Sequence, residues 1–336
     1  MSDKDTRSFL LVRLGSLGDL VHTLPAVAAL RDTFPNARID WVVERKWAQF
    51  LELVTGIDAI VALDRSIAGH LACIQRLRSE RHDCAIDFQG LYKSAVLAWL
   101  SGARCRIGSD RNAAREPGAA RFYTDRVTLT GRHIAETNLS LALRAGAERP
   151  AMMRFPLRVP NDEIIRLRAR LASEGAEDYV VLSPGGGWGA KCWPAERYGA
   201  LCAELARRQG LRAVVNIGPG EESLAPELLR AAGSAKPIVL TPSLRELVAI
   251  LAQARIVVAG DSGPLHLAAA LGTHVVALFG PTDPARNGPL PRGTVLRNAS
   301  PEETSHKRVA AYSQRMLSLT VDQVLAAAEQ EMSVKA

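Results

Sequence analysis

The stretch Ile256 to Pro284, IVVAGDSGPLHLAAALGTHVVALFGPTDP, decides how the chain is read. Ile256–Ala259 is short, apolar and rich in β-branched residues, the pattern of a buried strand. Gly260-Asp261-Ser262-Gly263 breaks it, and Pro264 is favoured at a first helical position. A short helix runs from His266 to Leu271, Gly272 ends it, and Val275–Phe279 is a second buried strand. A strand feeding a glycine turn and a helix start presents backbone N–H groups and the positive end of a dipole. That is a seat for an anion, above all a phosphate.

The same strand, turn and helix order extends outward through the chain. Strands are expected at Ser8–Leu14, Arg38–Val43, Ala59–Leu63, Cys84–Asp87 and Arg104–Ile107. Between them lie helices at about Leu20–Phe34, Trp47–Leu53, Ser66–Arg81, with Leu71, Ile74 and Leu77 inward, and Leu91–Leu100. From Ser109 to Leu129 the periodicity fails in an arginine-rich segment, and Gly131–Ala145 recovers a helix. A proline-spaced linker follows at about Glu148–Pro160. The alternation then restarts with a strand at Tyr179–Ser183 and continues to a strand at Thr294–Arg297 and a helix at Val321–Met332. Two successive α/β halves, each with a parallel doubly wound sheet, are expected. Ligands of such sheets gather beyond the carboxyl ends of the strands, so the two halves are expected to face a cleft between them.

The chain has 336 residues, 47% hydrophobic and 23% charged, which suits two globular domains. No apolar run is long enough to span a bilayer, and the N-terminus lacks the pattern of a signal peptide, so a cytoplasmic protein is expected. Cys73, Cys84, Cys105, Cys192 and Cys202 are scattered and show no metal-ligand spacing. The net charge of +7 points to an anionic partner, and no nucleic-acid-binding motif accompanies it. Asp3-Lys4-Asp5 has the form of a metal-binding D-x-D but sits in a polar terminus and is set aside, so neither metal nor cofactor is expected.

Four segments could carry chemistry. Asp19, in GSLGDLVHTLP, begins a helix just beyond the first strand, where a carboxylate is either a cap or a functional group. Asp87-Phe88-Gln89-Gly90-Leu91-Tyr92-Lys93-Ser94 also lies at a strand end. Nearby, Arg115 and Arg121 stand in the arginine-rich segment; guanidinium groups there suit an anionic substrate. In Ser183–Pro194, SPGGGWGAKCWP, Gly185, Gly186 and Gly187 would let the backbone approach phosphates, and Lys191 would neutralise a departing diphosphate. Glu221 closes a turn into a helix, where the helix dipole alone could account for an acid.

D-S-G-P-x-H-x-A-A-A followed by F-G-P-T-D-P resembles the donor-nucleotide site of the bacterial heptosyltransferases, which use ADP-heptose in lipopolysaccharide core synthesis. R-L-G-S-L-G-D-x-x-H-T-L-P looks like the same family's N-terminal motif, D-x-Q-G-L-x-K-S its acceptor-side segment, and K-C-W-P its lysine before Trp-Pro. Arg13 stands where many members have lysine, and Trp188 near where many have a small hydroxyl residue. The resemblance covers nearly the whole chain, with heptosyltransferase I foremost. It implies a GT-B fold of two Rossmann-like domains, an acceptor domain at about 1–155 and a donor domain at about 160–318. The C-terminal helix, about 319–332, is left free to pack back on the first.

It also implies an inverting, metal-independent transfer from ADP-L-glycero-β-D-manno-heptose to a Kdo-bearing lipid A, by a monomer peripheral to the inner face of the inner membrane. Asp19 and Lys191 would be catalytic. Gly185, Gly186, Gly187, Lys191, Glu221, Asp261, Ser262, Gly263 and His266 would hold the donor, and Arg13, Ser16, Gln89, Lys93, Arg115, Arg121 and His133 the acceptor. Other acceptors within the family, a second core heptose or a protein, stay open, as does a sugar-nucleotide epimerase on the same scaffold. A nicotinamide oxidoreductase would need G-x-G-x-x-G in the first turn, and Gly15-Ser16-Leu17-Gly18 has the wrong spacing.

Overall fold

A computed structural model describes residues 7–298, 304 and 309–333. Asp3-Lys4-Asp5 lies outside them. The chain divides into two compact units, Met1–Arg158 and Val159–Ala336.

The first unit is built on β1 (Ser8–Val12), β2 (Arg38–Glu44), β3 (Ala59–Leu63), β4 (Cys84–Asp87), β5 (Cys105–Ser109) and β6 (Asp125–Val127). All pair in parallel, in the order β3-β2-β1-β4-β5-β6. The second unit repeats this plan with β7 (Tyr179–Ser183), β8 (Arg212–Asn216), β9 (Ile238–Leu240), β10 (Val257–Gly260), β11 (Val275–Phe279) and β12 (Thr294–Arg297). Their order, β12-β11-β10-β7-β8-β9, is also parallel throughout. The central strands are almost wholly apolar, as strands covered on both faces should be. Each sheet reverses its direction of winding at one place, between β1 and β4 in the first and between β7 and β10 in the second. At such a switch point the connections leave to opposite faces and open a crevice at the strands' carboxyl ends.

Two local expectations change. The helix expected over Leu20–Phe34 is two, Leu17–Val21 and Leu24–Thr33. Pro25 has no N–H to give to the preceding turn, so the break falls just before it. In the helix Ile67–Glu80 only Cys73 and Leu77 are buried; Leu71, expected inward, is 58% exposed. The C-terminal helix Val321–Ser333 lies in the second unit. Val324, Leu325, Ala328 and Met332 enter that unit's core beside Trp193 and Tyr198. Trp193 Nε1 donates to the carbonyl of Leu319 at 2.9 Å, and Arg197 Nη1 donates to those of Leu317 and Leu319.

Candidate functional site

In the first unit, the residues singled out from the sequence meet at the switch point between β1 and β4. Arg13 follows β1 directly and is 1% exposed. Its guanidinium lies 2.5 Å from Asp19 Oδ1 and also donates to the carbonyl of Phe88, just beyond β4. Arg115 approaches the same Asp19 oxygen at 3.3 Å from outside. The other oxygen, Oδ2, faces the Ser16 amide at 3.3 Å and the Ser16 hydroxyl at 3.4 Å. Burial alone would raise the Asp19 pKa, but Arg13 and Arg115 outweigh it and hold the carboxyl below the usual range. Asp19 is thus a fixed, ionised carboxylate whose side chain is 19% exposed.

Gln89 braces the same crevice: its Oε1 accepts from the Leu14 amide at 2.8 Å. Under it lies Asp87, to which sequence reasoning gave no separate role. Tyr123 Oη, Ser94 Oγ and the amides of Gln89 and Gly90 all donate to the Asp87 carboxylate. Burial nevertheless pushes its carboxyl above the usual range. A carboxylate two residues before Gln89 at a strand end is the signal that could have found it, because aspartate there binds the amides of its own turn.

The remaining acceptor-side residues spread around this centre. His133 caps the helix Ile134–Arg144 through Nδ1, and its ring meets that of His22 edge-on at 5.2 Å. Lys93 lies 3.2 Å from Glu44 at the end of β2. Arg121 sits over the ring of Tyr92 and binds the carbonyl of Gly118. Lys93 and Arg121 pair with these groups and not with Asp19.

In the second unit the switch point between β7 and β10 gathers Lys191, Asp261 and His266. Lys191 Nζ lies 2.5 Å from Asp261 Oδ2, and His266 Nε2 lies 3.0 Å from Asp261 Oδ1. Burial works against charge on Asp261, yet His266 and Lys191 together bring its carboxyl far below the usual range. Trp188 adds a contact that the sequence does not signal: the Lys191 ammonium sits over its ring, 4.2 Å from the centroid.

Two hydroxyl oxygens, Ser262 Oγ after β10 and Thr282 Oγ1 after β11, are buried without a partner among the described residues. The helix Gly263–Ala270 opens there, and its first-turn amides have no intrahelical acceptors. Glu221 turns back to accept from the Gly218 amide at 2.9 Å. Its carboxylate fills the space where Gly185 lacks a side chain, so a Cβ at Gly185 would overlap it. Gly186 is also confined, with Cys192 Sγ 3.0 Å from where a Cβ would stand; Gly187 meets nothing. Among the described residues no group of three or more His, Cys, Asp or Glu is placed to hold a metal ion.

Similarity to characterised proteins follows these features. The profile of glycosyltransferase family 9 (heptosyltransferase) matches residues 70–316. Lipopolysaccharide heptosyltransferase 1 of Pseudomonas aeruginosa is 33% identical over 299 residues, 85% of this chain and 82% of that protein. The protein of the same name from Escherichia coli K12 is 30% identical over 332 residues, 92% of this chain and 99% of that one. The structure of an E. coli heptosyltransferase with ADP superposes with a TM-score of 0.78 at 28% identity, over 96% of this chain and 99% of that chain. The two parallel sheets are the GT-B architecture of these enzymes, and the chain is a glycosyltransferase that belongs to family 9, the heptosyltransferases.

Proposed function

We propose that the enzyme transfers heptose, with inversion and without a metal, from ADP-L-glycero-β-D-manno-heptose to a Kdo-bearing lipid A. The observation that carries the donor half of this reading is the Lys191–Asp261–His266 cluster at a switch point, in a unit that also holds two buried hydroxyls without a partner among the described residues. The first unit takes the acceptor and the second the donor. The relatives named lipopolysaccharide heptosyltransferase 1 support the choice of acceptor, and the neighbour solved with ADP supports the nucleotide.

In the proposed step, Asp19 accepts the proton of an acceptor hydroxyl as its oxygen bonds to the anomeric carbon. The bond from that carbon to the β-phosphate oxygen breaks, and the electron pair leaves with ADP. Lys191, the Ser262 and Thr282 hydroxyls and the amides at Gly263 stabilise the growing charge. Arg13, buried beneath Asp19, orients and ionises the base rather than touching the acceptor, whereas the exposed Arg115 is placed to leave Asp19 for an anionic substrate. Glu221 binds the donor's ribose. The protein works as a monomer at the inner face of the inner membrane.

The deciding assay incubates the protein with ADP-heptose and Kdo-bearing lipid A, with and without EDTA. ADP and a heptosylated lipid are expected in equal amounts in both arms. Product only on an acceptor that already carries a heptose would move the enzyme to a later step, and loss of turnover in EDTA would end the metal-free mechanism.

A separate expectation concerns Gly185→Ala. The new methyl displaces only the far end of Glu221, so the fold should be unaffected. If Glu221 binds the donor, ADP-heptose affinity should fall about tenfold, the worth of one hydrogen bond to a charged group. Calorimetric titration beside a thermal melt checks this; unchanged affinity would remove Glu221 from the donor site.

A further inference from the structure

The first unit presents an outer face that the proposed chemistry does not use. It is made by the helix Ile67–Glu80, the helix Tyr92–Leu100 and the turn Pro117–Phe122, which cover one side of the first sheet. Cys73 and Leu77 of the first helix, and Leu97 and Ala98 of the second, share one core cluster beneath them. Arg78 Nε donates to the carbonyl of Leu100 at 3.0 Å, and Trp99 meets Phe122 with ring centroids 6.0 Å apart. The three elements therefore form one continuous layer.

Its outer side exposes large apolar residues among the polar ones. Ile67 is 82% exposed, Leu71 58% and Trp99 51%. Ile67 and Leu71 are one turn apart and lie on the same side of their helix as Arg78, which reaches toward the next helix. Exposed basic side chains stand on and next to these elements: Arg65 and Arg76 on the first helix and its approach, each 3.9 Å from a carboxylate (Glu44 and Glu80), and Arg121 and Arg126 on and beyond the turn. The charge surplus belongs to this unit. Residues 1–158 carry 23 Lys and Arg against 17 Asp and Glu, whereas residues 159–336 carry 19 against 18.

We propose that this face docks on an anionic membrane surface, with Ile67, Leu71 and Trp99 entering the headgroup region and the arginines pairing with lipid phosphates. The inference rests on the proposed lipid-borne acceptor, and it identifies the surface that meets the lipid. An exposed apolar stripe flanked by cations is the pattern of an interfacial helix, whose long basic side chains reach sideways to the headgroups. A second copy of the chain suits the face poorly, because a two-fold contact would set like charges against each other. Position supports the assignment. Ile67 and Tyr92 begin the helices that follow β3 and β4, so the face starts at the carboxyl-end rim that holds Asp19 and Gln89.

The test is sedimentation of the full chain with vesicles of phosphatidylcholine alone or mixed with phosphatidylglycerol. The wild type should bind the mixed vesicles, bind neutral ones far less, and release as salt screens the charges. Ile67→Glu with Leu71→Glu should lower binding to the mixed vesicles about tenfold or more, and so should Trp99→Glu alone. The Ile67→Glu, Leu71→Glu variant should keep its melting temperature, and both variants should keep their ADP affinity. Equal binding by wild type and variants would overturn the proposal, as would equal binding to neutral vesicles or none to anionic ones. So would a wild-type dimer that the substitutions dissociate. Transfer to a lipid-free Kdo acceptor, measured alongside, keeps the two readings apart: its failure in the wild type counts against the proposed acceptor and leaves the vesicle result to judge the docking face.

Discussion

Asp19→Asn is expected to lower kcat by about 10²–10⁴-fold, the usual worth of a general base, while ADP affinity stays unchanged. An amide keeps the size and the capping ability of the side chain but cannot take the proton. Stability should fall as well. A cap alone would tolerate asparagine, but here the carboxylate also balances the buried Arg13 at 2.5 Å. Removing that charge should cost about 1–3 kcal/mol.

The sign with pH follows from the depressed Asp19 pKa. Its contribution is complete above the unfolded value of about 3.9 and is lost as the pH falls through the lower folded value. The melting gap between wild type and variant should therefore close in acid. The acidic limb of kcat/KM in the wild type should likewise lie below the ordinary carboxylate range. Full turnover in Asp19→Asn would leave Asp19 as no more than Arg13's counter-charge.

The second large effect is expected at Lys191. Charge on the β-phosphate grows as the sugar leaves, so a fixed ammonium matters most in the transition state. Lys191→Ala should lower kcat by about 10²–10³-fold with a smaller change in donor affinity. Lys191 is held by Asp261 on one side and the Trp188 ring on the other. Trp188→Ala should loosen that hold without removing the charge, so its kcat loss should be smaller than that of Lys191→Ala. Kinetics of both variants with ADP-heptose decide the matter. A raised KM with unchanged kcat in Lys191→Ala would assign the lysine to ground-state binding.

The sheets were legible because their strands are short apolar runs between glycine turns, and Val257–Gly260 and Val275–Phe279 fall where those runs stand. β6 was not, because an edge strand of three residues, Asp125-Arg126-Val127, is polar and lacks a repeat long enough to count. Leu71 was misplaced because periodicity finds an apolar residue but not which residues the sheet covers. Within the site, the glycines, Asp19 and Lys191 announce themselves by position after a strand. The burial of Arg13, the approach of Arg115 across 96 positions, and the Trp188 ring over Lys191 depend on tertiary packing that no local pattern records.

The placement of the last helix has a consequence for synthesis on the ribosome. All six strands of the first sheet precede Thr128, and its unit closes by Arg158, so it can fold while the rest of the chain is still being made. The second sheet cannot follow the same schedule. Its first-made strand, β7, is central and needs β10, made some seventy residues later. Its core then needs Met316, Leu319, Val324 and Leu325 from the final segment, and the carbonyls of Leu317 and Leu319 to receive Trp193 and Arg197. The nascent second unit must therefore keep its apolar strands from aggregating until the helix Val321–Ser333 has emerged, behind a first unit that is already folded.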